Sequence, residues 1–238
     1  MQRDAQELVV AIDDTDTEDE GATGKLAELI AEEIAKKAAV SRVTRHQLFV
    51  HESIPYTSHN SAMAFKVKGA DIEEIFDIAS SMLEEKSSCG SDPGLCIVGT
   101  VDEIVKREII EFGRRAKVSV VQKDEALRVA QKVSLTAHGG SGDGVIGALA
   151  GAGLRLSNND GRFRGWLDIT EGKAKVKDLL RIKGIDEVKS PYGSLCDDEI
   201  VKIEGKVKTV LLNNRSVLLV RMEDNLWRNL TREELKKY

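Results

Sequence analysis

At 238 residues the chain can bury the core of one large domain or of two modest ones. Its 41% apolar and 32% charged residues exclude a disordered chain, and only 4% aromatics leaves aliphatic side chains to fill the core. A net charge of -5 excludes a protein that coats nucleic acid by bulk electrostatics, although 35 lysines and arginines leave room for local basic faces.

The first element is the apolar run Leu8-Val9-Val10-Ala11-Ile12, suited to a strand buried on both faces. A polar loop over 13–22 follows, and then a helix over 24–38 with Leu26, Leu29, Ile30 and Ile34 at helical spacing. Residues 42–52 and 62–67 read as strands, and 71–85 as a helix with Ile72, Ile75, Phe76, Ala79 and Leu83 on one face. The turn Asp92-Pro93-Gly94 leads into a buried strand at 95–98, and helices are predicted over 103–115 and 124–132. A glycine-rich segment over 138–151 breaks the pattern, its second half reading as a short helix from Val145. A strand over 162–169 and a helix over 176–182 come next. Two alternating strands, 200–212 and 217–222, are joined by the hairpin signal Asn213-Asn214-Arg215-Ser216. Soft boundaries fall near 118 and 190. No charged leader precedes an apolar run, and no stretch approaches the roughly 18 apolar residues of a membrane span. The expectation is a cytoplasmic protein without membrane contact, and Cys89, Cys96 and Cys196, which form no CxxC pair, are expected to be buried free thiols.

The strongest chemical signal is Asp13-Asp14-Thr15-Asp16. Three carboxylates within four residues, at the carboxyl end of a buried strand, lie where an open α/β sheet binds ligands. Crowded carboxylates repel one another unless a cation compensates, and oxygen donors without histidine favour Mg²⁺ or Mn²⁺ over zinc. Gly21-Ala22-Thr23-Gly24-Lys25 then opens a helix whose free N–H groups suit an anion. It resembles a P-loop but lacks the upstream glycine and the hydroxyl residue after Lys25, so no Walker motif is assigned. The plain alternative is a solvated turn with Asp and Thr as helix caps.

Two further clusters carry polar chemistry. Residues 53–61 gather hydroxyl, amide and imidazole groups, including Tyr56, Ser58, His59 and Asn60, around the stiffening Pro55. His59 could act as a base or phosphate donor, or the segment could be a hydrogen-bonded turn. Arg42, Arg45 and His46 could face phosphate or form a solvated edge. In the glycine-rich segment, Gly139, Gly140, Gly142 and Gly144 free the backbone to approach a ligand, and Asp143 suits a cationic group such as an amine, or a second metal contact. Gly147 and Gly151 read as small contact residues of a close-packed helix.

Taken together, these stretches resemble the archaeal tRNA agmatinylcytidine synthetase family, the TiaS-like proteins. Ile12-Asp13-Asp14-Thr15-Asp16 matches the family's IDDTD signature, and an unbroken register aligns Thr23 with a threonine of its catalytic loop. The segment 54–60 resembles IPYKTRGN, with Ser58 and His59 in place of Thr-Arg; 142–150 resembles GRGLIGALAA, and 92–94 the NPG turn. The resemblance covers about residues 8–170. It implies an α+β chain: a kinase-like α/β domain over 1–118, a ferredoxin-like domain over 119–190, and a short β segment over 191–238. It implies a shortened relative without the OB-fold and zinc-ribbon domains that grip tRNA in the family.

The family phosphorylates the C2 carbonyl of a cytidine in an isoleucine tRNA anticodon and replaces it with agmatine. By matched position, Asp13, Asp14 and Asp16 would hold Mg²⁺–ATP, with Thr15, Gly21, Gly24 and Lys25 around the nucleotide. Thr23 would be phosphorylated or would contact phosphate, and Gly142, Asp143 and Gly144 would line the amine side with Tyr56, Ser58, His59 and Asn60 on the substrate. The expected function is therefore an ATP- and Mg²⁺-dependent enzyme that activates a substrate oxygen by phosphorylation, followed by amination. A tRNA base or a small metabolite would be the acceptor; a nucleotide sensor, or an assembly factor docking through its β tail, are the alternatives.

Overall fold

The computed structural model describes residues 7–17, 22–54 and 60–238, and the chain divides into two compact units, Met1–Ser157 and Asn158–Tyr238. In the first unit the opening apolar run forms β1 (Glu7–Asp13). Side chains alternate across a strand, so Leu8, Val10 and Ile12 enter one core and Val9 and Ala11 the other. The first core is closed by α1 (Thr23–Ala35), which contributes Leu26, Ile30 and Ile34, and by a later helix over 72–86.

After β2 (Ala39–Val40) and β3 (Thr44–Gln47), β4 (Ser61–Lys68) pairs antiparallel with β1, and β2 and β3 line its other edge. Helix α2 (Ile72–Lys86) starts at Asp71, whose side chain accepts the N–H of Glu73. β5 (Gly94–Val98) pairs with the free edge of β1, and β6 (Ser134–Ala137) extends the sheet beyond it, both antiparallel. Between them run α3 (Glu103–Ala116), capped by Asp102, and α4 (Lys123–Val129). The unit ends in α5 (Gly144–Leu156), which packs with α3 over the second core through Ala148, Leu149, Ala152, Ile109 and Phe112. Its glycine- and alanine-rich sequence would make a poor surface helix, but α5 is buried on nearly every face, so packing overrides propensity.

Every strand pair between described residues of the first unit is antiparallel. The sequence places β1 in an α/β sheet without fixing the direction of its neighbours, because a strand buried on both faces reads the same whichever way they run. Antiparallel order has its own consequence. The end of β1 meets the starts of β4 and β5 and the end of β6, with Ile12 opposite Met63, Asp13 opposite Gly94, and Gly94 opposite Ala137.

The second unit is β-rich: β7 (Arg162–Phe163), β8 (Gly172–Lys175), the single-turn α6 (Val176–Leu179), β9 (Glu187–Ser190), β10 (Gly193–Ser194), β11 (Ile200–Ile203), β12 (Val210–Leu212), β13 (Arg215–Glu223) and β14 (Leu226–Asn229). Its pairings are mixed, parallel for β13–β9 and β11–β14 and antiparallel elsewhere. The predicted hairpin joins β12 and β13, with Asn213 and Asn214 both at positive φ, 50° and 58°, as a two-residue turn matched to strand twist requires. Asp224 and Asn225 repeat the device between β13 and β14.

Arg228 ties the end of this unit together. It is 7% exposed, its Nε donates to Glu223, and its two terminal nitrogens each reach a Glu234 oxygen at 2.9 Å. The guanidinium beside it holds the Glu234 carboxyl down at about 2. Arg228→Met is expected to destabilise this unit, because Glu223 and Glu234 lose the partner they share; amide exchange in β13 and β14 measures it.

Three expectations shift. The compact units divide after Ser157, whereas boundaries were read near 118 and 190, because β6 joins β5 and α5 packs on β1, β4 and β5, returning residues 134–156 to the first sheet. The strand read over 162–169 stops at Phe163, since Gly165 sits at φ 80°, leaving one bridge from Leu167 to Val207. Of the cysteines only Cys96 is buried, in β5, where burial pushes its thiol up to about 12; Cys89 and Cys196 are exposed in loops. No helix among the described residues is long and apolar enough to cross a membrane.

Candidate functional site

Four connections meet at the rim where β1 ends, and the acidic loop is one of them. Asp13 closes β1, and Asp14 then adopts φ 54°, a left-handed conformation that aspartate tolerates better than most residues and that breaks the strand. The loop is tied back to α1: the Thr15 N–H donates to Thr23 Oγ1 at 3.3 Å, and the Thr23 hydroxyl donates to Asp16 Oδ1 at 2.5 Å. It is tied sideways to the turn before β5, where Ser88 N–H donates to the Thr15 carbonyl and Asp92 N–H to the Asp14 carbonyl.

Electrostatics at this corner are unfavourable to charge. Burial pushes the Asp13 carboxyl up to about 8, and the charges of Asp14 and Asp16 push the same way, against the Asp14 N–H and Arg45. Asp14 rises to about 6, from burial and then from Asp92, Asp16 and Asp143. Asp13 also lies directly against α5: a Cβ at Gly147 would overlap its Oδ2, so only glycine lets the helix pass. The reading of Gly147 as a small contact residue holds, and the contact is to the acidic loop itself.

Among the described residues no group of three or more His, Cys, Asp or Glu side chains stands close enough together to hold a metal ion. Asp16 faces Thr23 in this arrangement. The donor set nonetheless fits a hard cation that brings its own ligands. Two carboxyls at this corner carry raised proton affinity, and the Thr15 hydroxyl is buried without a hydrogen-bond partner among the described residues. Mg²⁺ bound by one or two carboxylates completes its shell with water and phosphate.

Of the other predicted residues, Gly24 is buried and Lys25 exposed in the first turn of α1. Asn60 donates its side-chain amide to the Phe49 carbonyl at 2.7 Å, while its own carbonyl accepts from Gln47 and Leu48, so it closes its loop. Gly21, Tyr56, Ser58 and His59 lie outside the described residues. Gly142, Asp143 and Gly144 reach the same rim, Asp143 near enough to raise Asp14 and 3.3 Å from Lys123. Arg45, read as a phosphate contact or a solvated edge, lies near enough to Asp13 to favour its charge. Two participants were missed. Asp92 was legible only as part of a turn, and Lys123 only as the residue before a predicted helix.

No protein-family model matches the chain. The tRNA 2-agmatinylcytidine synthetase TiaS of Methanosarcina acetivorans is 28% identical over 156 residues, 63% of this chain and 36% of its own. Among solved structures, that of TiaS in complex with its tRNA and ATP is 26% identical with a TM-score of 0.56, over 84% of this chain and 50% of the other. This chain is a distant relative of TiaS. A structure described as a tRNA fluorescent labeling enzyme is 31% identical with a TM-score of 0.54, over 62% of this chain and 36% of the other. The chain thus spans between about a third and a half of the length of TiaS and these relatives. The likeness is to an ATP-dependent tRNA-modifying enzyme, and the mixed α+β fold is similar to that of TiaS.

Proposed function

We propose that the first unit binds Mg²⁺–ATP at the end of β1 and transfers a phosphoryl group to a substrate oxygen, which an amine then displaces. The observation that carries this reading is the placement of Asp13 and Asp14 at the end of β1 beside Thr15, whose hydroxyl is buried and has no partner among the described residues. Asp13 and Asp14 would hold the divalent ion, which supplies charge neutralisation for the triphosphate when bound. Thr15 Oγ1 is suited to donate to a phosphate oxygen or to a bound water. Lys25 and the free N–H groups at the start of α1 offer positive potential to the phosphates. Thr23 is the hydroxyl on which a phosphoryl group would rest or against which it would lie. Asp143, at the opposite side, would receive the cationic amine.

The acceptor we favour is an RNA base. The relation to TiaS supports it, and so does charge: Met1–Ser157 holds 18 Lys and Arg against 26 Asp and Glu, a net of -8, whereas Asn158–Tyr238 holds 17 against 14, a net of +3. In the second unit Trp166 is 42% exposed with Lys206 and Lys208 over its ring at 5.6 and 4.3 Å, a surface suited to stacking and phosphate contact. A small-molecule acceptor is the second reading, favoured by the strongly acidic run Thr17-Glu18-Asp19-Glu20 that follows the aspartate cluster in sequence.

Calorimetric titration with the Mg²⁺ complex of a non-hydrolysable ATP analogue tests the nucleotide site. Wild type should bind, and Asp14→Ala should weaken binding on the order of a hundredfold, the scale of removing one partner from a desolvated charge pair. Absence of binding by wild-type protein, with or without tRNA present, would sink the proposal. Trp166→Ala should weaken tRNA binding selectively if RNA is the acceptor, and leave it unchanged if the acceptor is a metabolite.

A further inference from the structure

Asp92, in the turn that leads into β5, has both carboxylate oxygens engaged by a single loop. Its Oδ2 accepts the backbone N–H of Ser141 at 3.1 Å, the Ser141 hydroxyl at 2.6 Å and the backbone N–H of Asp143 at 2.9 Å. Its Oδ1 accepts the N–H of Gly142 at 2.8 Å. Successive amides converging on one anion form a nest, the arrangement other proteins use to hold phosphate; here the anion is a side chain of the same unit. Burial would raise the Asp92 carboxyl, but the Ser141 hydroxyl and the three N–H groups hold it below the usual carboxylate range. Gly140, at φ 56°, passes so close that a Cβ there would overlap the Asp92 carboxyl group, so the wrap depends on that glycine. From the other side Lys123 Nζ donates to the Ser141 carbonyl at 2.5 Å and stands 3.3 Å from Asp143 Oδ1.

We propose that Asp92 is a positioning residue, an internal counter-anion that folds the loop over 139–143 and so holds Asp143 within electrostatic reach of Asp14. The loop has few other supports: Ser141 and Asp143 are exposed, so hydrogen bonds and not burial keep their amides from water. Asp92 therefore sets the wall of the site that faces Asp14 without touching a reacting atom. The consequence for ligand binding rests on the nucleotide reading above; the folding of the loop does not.

The test is amide hydrogen exchange on the ligand-free full chain, followed by titration with the Mg²⁺ complex of a non-hydrolysable ATP analogue. Asp92→Asn keeps the shape but turns an amide N–H₂ toward N–H groups whichever way it is oriented. It should speed exchange at Ser141, Gly142 and Asp143 about tenfold or more, the scale of losing one charge-assisted hydrogen bond, while Val10 and Ile97 are unchanged. It should also weaken analogue binding about tenfold. Unchanged exchange at all three amides overturns the proposal, as does analogue binding that stays at the wild-type level while the loop loosens. If Asp92→Asn fails to fold, Ser141→Ala removes only the 2.6 Å hydroxyl bond. A smaller, graded rise in exchange at Gly142 and Asp143 then supports the assignment, and no rise overturns it. Failure of wild-type protein to bind the analogue, with the exchange result intact, removes the nucleotide reading and leaves the loop assignment standing.

Discussion

Asp13→Asn is expected to stabilise the ligand-free protein at pH 8 while abolishing its binding of Mg²⁺–nucleotide. The sign follows from the proton affinity of this carboxyl, raised to about 8 by burial and by the neighbouring Asp14 and Asp16 charges. Between the ordinary carboxylate range near 4 and about 8, the folded state holds a proton that the unfolded chain has lost. Stability therefore falls as pH rises through that window, and Asp14, raised to about 6, adds to the fall in its lower half. By pH 8 the accumulated cost of confining the Asp13 charge, about four pH units at roughly 1.4 kcal/mol each, is on the order of 5 kcal/mol. Asparagine keeps the shape and never ionises, so the thermal midpoint at pH 8 should rise by roughly 10–20 °C, with a much smaller rise at pH 5. Magnesium acts in the opposite sense to the proton: its affinity for wild type should grow toward pH 8 as it displaces a proton from the site. A wild-type midpoint that does not decline between pH 5 and 8 would show that the corner is not electrostatically loaded at all.

Gly147→Ala should be among the most damaging single substitutions in the first unit. The added methyl would overlap Asp13 Oδ2, and α5 cannot retreat because its far side packs on α3. The expected loss is about 3 kcal/mol or more, larger than the usual gain from removing a helical glycine, together with loss of nucleotide binding. The diagnostic measurement is the double substitution. Asp13→Ala with Gly147→Ala removes the obstructing carboxyl, and it should recover at least about 1 kcal/mol relative to the additive sum by denaturant titration. Strict additivity would mean that the two residues do not meet.

What could be read from the chain alone was what is local to it. Five consecutive apolar residues announce β1, and Asp13, Asp14 and Asp16 announce the acidic loop by their spacing. The helical repeat of Leu26, Ile30 and Ile34, and the Asn213–Asn214 turn, likewise need no partner to be recognised. The direction of the sheet could not be read, because the neighbours of β1 arrive more than fifty and eighty residues later and leave no trace in its own pattern. The same distance hid Asp92, whose carboxylate is satisfied by amides 49 to 51 residues away, and the meeting of Asp13 with Gly147. It also hid the unit boundary, since the pairing of β6 with β5 and the packing of α5 on the sheet bring residues 134–156 home.

Helix α5 emerges directly from the loop that Asp92 gathers, and one turn later it bears on Asp13. A single helix therefore starts beside Asp143 and rests against Asp13, so its rigidity ties the spacing between Asp143 and the carboxyl pair to one packing contact. Tilting that helix is the one displacement that would widen the gap, and the α3 face it rests on resists it.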